Sequence, residues 1–176
     1  FQDRMRKGHD FRDYICPDCF ENERDHFRIG DRYGRVLFLK DYASFIKDSM
    51  VADLTELDRD MMLSIDIIPV PTDEAVKYDM ELQRKESKEF LDDLTTRDQR
   101  MMFAVITIVH TADTKEALDN DTEVLLTTAR QNLCQLSVLR WQQLDGLKTV
   151  LPFGVRKIDS FRTLTTESLA VFMPFR

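Results

Sequence analysis

The chain contains few cysteines, which crosslink a fold, and few glycines and prolines, which interrupt helices and strands. Three cysteines among 176 residues are too few for a disulfide framework, so a reducing compartment such as the cytoplasm is expected. Five glycines and five prolines are scattered along the chain, and there is no internal repeat or low-complexity segment. No stretch reaches the roughly 20 consecutive apolar residues of a transmembrane helix. The charged start, Phe1-Gln2-Asp3-Arg4, does not have the pattern of a signal peptide.

Positive charge is also in short supply. Twenty-five Lys and Arg stand against 32 Asp and Glu, which gives a net charge of −7. A nucleic-acid interface needs clustered Lys and Arg, so this balance argues against a broad one. Two basic patches, Arg4-Met5-Arg6-Lys7 and Arg156-Lys157, are typical of solvated surface. A DNA-contacting module is therefore a disfavoured alternative, which salt-sensitive binding through Arg4, Arg6 and Lys7 would support.

The most informative stretch is an apolar run in the middle of the chain, Met101-Met102-Phe103-Ala104-Val105-Ile106-Thr107-Ile108-Val109. It is rich in β-branched residues and too short to span a membrane. A strand that is apolar on both faces lies in the middle of a sheet, with other elements packed on each side. With 43% hydrophobic residues, the chain can build one sizeable core around this strand.

Strands and helices alternate around this run. Hydrophobic periodicity predicts strands at 35–40, 61–69, 101–109 and 134–138, a hairpin partner at 27–29, and helices at 46–57, 72–94, 113–132 and 141–151. This order is typical of an α+β, ferredoxin-like fold, with a mixed or antiparallel sheet and helices on one face. The charged helix 72–94 is then a helical insertion between the middle strands. We divide the chain into an irregular segment with a candidate edge strand (1–30), the α+β domain (31–154) and a C-terminal segment (155–176).

Local patterns assign several side chains to the interior. Asp113 and Glu116 have the spacing of a capping box, and the helix that follows has Leu118, Leu125, Ala129 and Leu133 on its inner face. Cys134 points inward on a strand and is expected in the core. Three aromatic residues near the C-terminal end either pack in the core, which is favoured, or line a docking surface: Trp141, Phe153 and Phe161.

The sharpest chemical motif is Cys16-Pro17-Asp18-Cys19. A C-x-x-C pair supplies two thiolates to zinc, and His9 and His26 flank it at plausible distances. One such pair without a second is a weak signal. A redox dithiol and a surface turn that happens to hold two thiols are the alternatives, and the surface turn is favoured.

Three other groups are weaker candidates. His110, at the end of the central run, is typical of a hydrogen-bonded residue at the rim of a sheet rather than a base or a metal ligand. Gly146-Leu147-Lys148-Thr149 imitates a phosphate loop without its upstream glycine, and an amphipathic helix explains it better. Four residues loosely resemble a metal-dependent nuclease cluster, although positions at a strand edge and a helix cap are the favoured interpretation: Asp66, Asp73, Glu74 and Lys77. We therefore assign no catalytic, cofactor-binding or metal-ligating residue.

A series of short motifs carries a family resemblance. They run in order along most of the chain: Asp31-Arg32-Tyr33-Gly34-Arg35-Val36-Leu37-Phe38, Met62-Leu63-Ser64-Ile65-Asp66, Leu94-Thr95-Thr96-Arg97-Asp98-Gln99-Arg100-Met101, Thr111-Ala112-Asp113, Cys134-Gln135-Leu136, Trp141-Gln142-Gln143, Gly146-Leu147, Leu151-Pro152-Phe153-Gly154 and Arg162-Thr163-Leu164-Thr165-Thr166-Glu167-Ser168. Each motif is unspecific alone, but the ordered series resembles the conjugative-transfer ATPases of type IV secretion systems, the TraC/TrsE class. Members of that family have a longer segment around Val76-Lys77-Tyr78, and a C-x-x-C pair is no hallmark of the family.

The resemblance implies the region that precedes the ATPase domain. The start at Phe1 and the apolar end, Ala170 to Arg176, fit a piece of a longer protein. The implied role is a non-catalytic docking domain at the cytoplasmic face of the membrane. Its partners would be type IV secretion components at the inner membrane or neighbouring subunits, including copies of itself. ATP and Mg²⁺ are then expected only in the domain beyond this chain, and no direct contact with nucleic acid is expected. The alternative is a small zinc-binding protein or a metal-dependent hydrolase.

Overall fold

The computed structural model describes residues 19–42, 47, 49–70 and 100–172. Their strands are β1 (Phe20–Asn22), β2 (Phe27–Ile29), β3 (Arg32–Tyr42), β4 (Met61–Pro69), β5 (Met101–Ala112), β6 (Cys134–Val138) and β7 (Arg162–Thr165). Their helices are α1 (Met50–Thr55), α2 (Lys115–Gln131), α3 (Gln143–Val150) and α4 (Thr166–Ala170). The α+β class is confirmed.

The sheet has the strand order of a ferredoxin-like fold. Its central part runs β6-β3-β5-β4, and each neighbouring pair is antiparallel. Together with α1 between β3 and β4 and α2 between β5 and β6, this is the split βαβ arrangement predicted from the sequence. The hairpin is also confirmed: β2 joins β3 through Gly30 and Asp31, and Gly30 has the positive φ of +57° that such two-residue turns need. The insertion at 72–94 lies outside the described residues.

β5 is the central strand, as the apolar run predicts. On one side of β5, β4 pairs with residues 102–110. On the other side of β5, β7 pairs with its first residues and β3 with its last. Alternate side chains enter two separate cores: Ala104, Ile106 and Ile108 pack in one, while Val105 and Val109 pack in the other. β5 therefore separates two apolar layers on the opposite faces of the sheet.

The helices are divided between these two faces. α1 and α2 cover the first core, to which they contribute Met50, Leu54 and Leu125. α3 packs on the second core, to which it contributes Val150 and which also contains Val36. The prediction of helices on one face therefore holds for α1 and α2, and α3 departs from it. The reason is that α3 follows β6, after the four-strand unit is complete, and covers the apolar face that α1 and α2 leave open.

Two local predictions are wrong at α2. The residue that caps its N-terminus is Thr114, whose hydroxyl accepts a hydrogen bond from the Ala117 backbone N–H at 3.1 Å, so Asp113 is not the cap. Leu118, Leu125 and Ala129 lie on the inner face as predicted. Leu133 is 54% exposed and has a φ of +59°, because the helix has already ended at Gln131.

Candidate docking surface

The position of α3 is fixed by one buried side chain, Gln143, which is fully inaccessible to solvent. β2 pairs with the start of β3 and β6 pairs with its end, and Val36 lies in the gap between them. The Gln143 amide fills that gap: its Oε1 accepts from the Val36 N–H at 2.8 Å, and its Nε2 donates to the Val36 carbonyl at 3.3 Å. Gln143 thus makes the two hydrogen bonds to Val36 that a neighbouring strand would otherwise make, and it links the first turn of α3 to β3.

A glycine lets α3 approach the sheet closely. A Cβ atom at Gly146 would lie 2.5 Å from Leu139 Cδ1 and 2.8 Å from Val36 Cγ1. Gly146 is therefore a packing residue within a helix, as predicted. Residues 146–149 resemble a phosphate loop in sequence but not in structure. Lys148 is exposed on the outer side of the same helix.

Trp141 occupies an unusual position just before α3. Its backbone is in the left-handed region with a φ of +66°, which is strained for a bulky residue. Its N–H donates to the Arg24 carbonyl at 2.7 Å, and the Arg24 guanidinium lies 5.7 Å from the centre of its ring. The side chain is nevertheless 74% exposed. The core prediction is therefore wrong for Trp141.

A second aromatic side chain is exposed where α3 ends. Phe153 is 69% exposed and Val155 is 42% exposed, in the turn closed by Gly154. The core prediction is wrong for Phe153 too. Phe161 is half-buried: its ring lies 6.0 Å from that of Phe103, and the Arg156 guanidinium lies 4.4 Å from its centre. The two exposed aromatic residues thus flank an eight-residue helix, whose length is about 12 Å.

We call Trp141, Phe153, Val155 and the outer side of α3 the α3 surface. The segment 140–159 that includes it contains four basic residues, Arg140, Lys148, Arg156 and Lys157, and two acidic ones, Asp145 and Asp159. All four basic residues are exposed. The α3 surface is therefore locally basic in a chain whose net charge is −7.

The zinc candidates are only partly described. His9 and Cys16 lie outside the described residues. The Cys19 thiol donates to a Glu21 carboxylate oxygen at 3.4 Å, and this hydrogen bond raises the pKa of Cys19. His26 is hydrogen-bonded to Asp25 at 2.8 Å. Within the ranges that the structure covers, no group of three or more His, Cys, Asp or Glu side chains could hold a metal ion.

His110 lies in a buried polar cluster rather than at the rim of the sheet, and its side chain is 1% exposed. Its Nε2 is 3.0 Å from the Thr122 hydroxyl, which itself donates to the Leu118 carbonyl at 2.7 Å. Because that hydroxyl has one hydrogen, its oxygen accepts from both His110 Nε2–H and Arg35 Nη1, the latter at 2.8 Å. Burial, together with the Arg35 charge, lowers the pKa of His110 to about 4, so the imidazole is neutral at physiological pH.

Arg35 is the centre of this cluster and is only 4% exposed. Its Nη2 donates to Asp119 at 2.8 Å and to the Asp25 carboxylate at 3.1 Å, and its Nε donates to the Asp25 carbonyl at 2.9 Å. The Lys115 hydrogen bond, then Arg35, lowers the pKa of Asp119. Burial acts to raise the pKa of Asp25, but His26 and Arg35 together lower it. The cluster joins the β1–β2 loop, β3 and α2.

The carboxylate group resembling a nuclease cluster cannot be assembled from the described residues. Asp66 lies on β4, where burial raises its pKa and the Arg156 charge opposes this shift. Asp73, Glu74 and Lys77 lie outside the described residues. Cys134 is buried as predicted, and burial raises the pKa of its thiol to about 11.

Comparison of the sequence with protein-family models and with curated proteins finds no match in either case. Among the described residues, no helix combines the length and the apolar character needed to cross a membrane. The features available for a functional argument are therefore the α3 surface, the Arg35 cluster and the edges of the sheet.

Sequence reasoning missed the residues that organise these sites. Arg35 and Thr122 are separated by 87 positions and Gln143 and Val36 by 107, so their pairing follows from the fold rather than from a motif. One available signal was the charge of Arg35 directly before the apolar residues Val36-Leu37-Phe38-Leu39. A charged residue in such a place must be exposed or fully paired.

Proposed function

We propose that this chain is the non-catalytic domain that precedes the motor of a conjugative type IV secretion ATPase of the TraC/TrsE class. It docks through the α3 surface on secretion components at the cytoplasmic face of the inner membrane or on neighbouring subunits. The ordered series of motifs from Asp31 to Ser168 supports the family, and the ferredoxin-like sheet offers a rigid platform for docking. ATP hydrolysis for assembly or DNA transfer would then occur in the part of the protein that follows.

The single observation that carries the docking role is Trp141. A tryptophan with 74% exposure and a left-handed backbone contributes little to folding, and the conformation itself is unfavourable by about 1 kcal/mol or more. Strained backbone and exposed aromatic rings both concentrate at binding sites, where the ring supplies a large contact area on desolvation.

The motifs themselves divide into structural and exposed residues. In Trp141-Gln142-Gln143, Gln143 is buried and bonded to β3, whereas Trp141 and Gln142 are exposed. In Leu151-Pro152-Phe153-Gly154, Gly154 has the positive φ of +66° that the turn needs, whereas the Phe153 ring is exposed. The exposed positions are the ones the domain does not need for its own packing, and they border one helix. The exposed basic residues beside them favour a partner with an acidic surface.

A binding assay on membranes tests this proposal. The purified chain is mixed with inner-membrane vesicles from cells that carry the conjugation genes and from cells that lack them. We expect it to co-sediment only with the first kind. Trp141→Ala with Phe153→Ala should abolish that binding, while Leu133→Ala with Val124→Ala, which truncates exposed apolar residues on and after α2, should preserve it. Equal binding to both kinds of vesicle, or full binding by the first pair of substitutions, would refute the proposal.

A nucleotide assay tests the non-catalytic part. The chain alone is expected neither to bind ATP tightly nor to hydrolyse it. Turnover by the purified chain that survives removal of contaminating ATPases would contradict the assignment to the pre-motor region.

A further inference from the structure

Among the residues that the structure describes, β4 forms a long edge of the sheet. It pairs with β5 over nine residues, and no strand among the described residues pairs with its other side. The other strands with a free side are shorter: β1 has three residues, β7 has four and β6 has five. Short edge strands are one of the ways in which proteins prevent sheets from associating. β4 does not have this protection.

The hydrogen bonds at its two ends show which backbone groups face outward. The Thr111 N–H donates to the Asp60 carbonyl at 2.9 Å, and the Val70 N–H donates to the Met101 carbonyl at 3.4 Å. Even-numbered residues of β4 therefore direct their N–H and C=O groups toward β5. The odd-numbered residues direct theirs to the free side: Met61, Leu63, Ile65 and Ile67, together with the Pro69 carbonyl.

The side chains along this edge are mostly apolar. Met62 is 43% exposed on one face and Ile67 is 46% exposed on the other. No lysine or arginine lies within β4, and Asp66 is its single charged residue. Protective charges of the kind that blunt edge strands are thus scarce, and Pro69 interrupts the row of donors only at its end.

We propose that β4 pairs antiparallel with β4 of a second copy of this chain, about a two-fold axis at Ile65. In this register Ile65 pairs with its symmetry mate, Leu63 pairs with Ile67, and Met61 pairs with Pro69. All outward N–H groups of the four donor residues then meet outward carbonyls. Apolar side chains lie opposite apolar side chains, and Ser64 lies opposite Asp66, where its hydroxyl can donate to the carboxylate.

Charge and paired length favour this register over its neighbours. An axis at Asp66 places that carboxylate opposite its own symmetry mate, and an axis at Ser64 leaves it opposite Met62 and shortens the paired stretch. An axis at Leu63 places Asp66 opposite Asp60 of the second copy, and like charges directly opposite one another are destabilising. An axis at Ile67 shortens the paired stretch and places Ser64 opposite Val70. The axis at Ile65 uses all nine residues and joins the two sheets into one. It specifies a contact between neighbouring subunits within the proposed function, and it rests on that function only for its biological setting.

Sedimentation equilibrium on the whole chain tests whether the dimer forms. We expect a reversible dimer, and Ile67→Pro should raise its dissociation constant about tenfold or more because it removes an outward N–H without touching the β5 ladder. Ile67→Thr keeps that N–H and a β-branched shape, so it is the matched control and should dimerise much more strongly than the proline variant. A chain that stays monomeric, as it would if its own segment 71–99 covered the edge, overturns the proposal.

Cysteine pairing tests the register. In a background with Cys16 and Cys19 replaced by serine, chains with Ser64→Cys are mixed with chains with Asp66→Cys. These positions face each other at a pair that is not hydrogen-bonded, where Cβ atoms come within about 5 Å. Oxidation should crosslink the mixture and leave each variant alone mostly uncrosslinked. A dimer that fails to crosslink in this pattern, or that is unaffected by Ile67→Pro, overturns the β4 pairing. Neither result bears on the membrane assay of the α3 surface.

Discussion

Arg35 and His110 are cross-strand partners on β3 and β5, and both donate to the hydroxyl oxygen of Thr122 on α2. This shared acceptor joins two adjacent strands to the helix that covers them. It also fixes the state of the histidine, because the proton lies on Nε2 and the Arg35 charge disfavours a second one. The most polar part of the first core is therefore built to hold a neutral imidazole beside a charged guanidinium.

The first prediction concerns pH. The pKa of His110 is lowered to about 4 in the folded chain, from an ordinary value of 6.5. Between these values the unfolded chain binds a proton that the folded chain does not, so the free energy of unfolding should fall as pH decreases from about 6.5 to about 4. The loss is on the order of 3 kcal/mol if the whole shift is realised. Urea unfolding at several pH values measures it.

The matched variants for this prediction are His110→Gln and His26→Gln. The first removes the titrating ring but keeps a donor for Thr122, so most of the pH dependence between 4 and 6.5 should vanish. The second replaces a histidine outside the buried core and should keep that dependence. An unchanged slope in His110→Gln would show that other groups cause it.

The second prediction compares two arginines. Arg35→Lys cannot reproduce the fork that reaches Asp25, Asp119 and Thr122 together, and we expect a loss of about 2 kcal/mol in the free energy of unfolding. Arg32→Lys changes a half-exposed residue that pairs with Asp60 and Asp113, where a much smaller loss is expected because solvent screens these pairs. Chemical denaturation of both variants measures the difference. Equal losses would mean that the Arg35 cluster contributes no more than a surface ion pair.

The third prediction uses two adjacent glutamines. Gln143→Leu leaves the Val36 N–H buried without an acceptor, which should lower the free energy of unfolding by about 2 kcal/mol or more. Gln142 is exposed, and Gln142→Leu should change it by less than about 0.5 kcal/mol. Hydrogen exchange at the Val36 amide gives a second measure, since its protection should fall in the first variant alone. Protection that persists would mean that water or another group replaces the Gln143 amide.

The fourth prediction separates folding from docking at Trp141. Trp141→Asn places a residue that tolerates the left-handed region at the φ of +66°. The free energy of unfolding should therefore stay the same or rise by up to about 1 kcal/mol. Thermal unfolding checks this. A marked loss of stability would show that the ring supports the fold, and the strain argument for docking would fail.

The sequence predicts most of the framework because the framework rests on local periodicity. The apolar run at 101–109 identifies the central strand, and the alternation at Leu63, Ile65 and Ile67 identifies its neighbour. Both signals come from residues that are close in the chain. With the order of helices and strands, they are enough to specify the antiparallel ferredoxin-like sheet.

The predictions that were wrong depend on contacts between residues that are distant in the chain. The side of the sheet that α3 covers depends on which apolar face α1 and α2 leave open, and a helical period alone does not contain this information. Trp141 and Phe153 look like core residues by type, but their exposure follows from the backbone at the ends of α3. His110 looks like a rim residue by its place in the strand, and α2 buries it. In each case the deciding neighbour is distant in sequence.

The pairing of β7 with the first residues of β5 has a mechanical consequence. Arg162 to Thr165 bond to Met101 to Ala104, and the Arg162 guanidinium and the Tyr42 hydroxyl add links between β7 and β3. Tension applied to the chain after Phe172 would pass through α4 and this short ladder straight into the innermost strand. A force applied there would thus act first on the central strand β5 and only afterwards on the outer strands of the sheet.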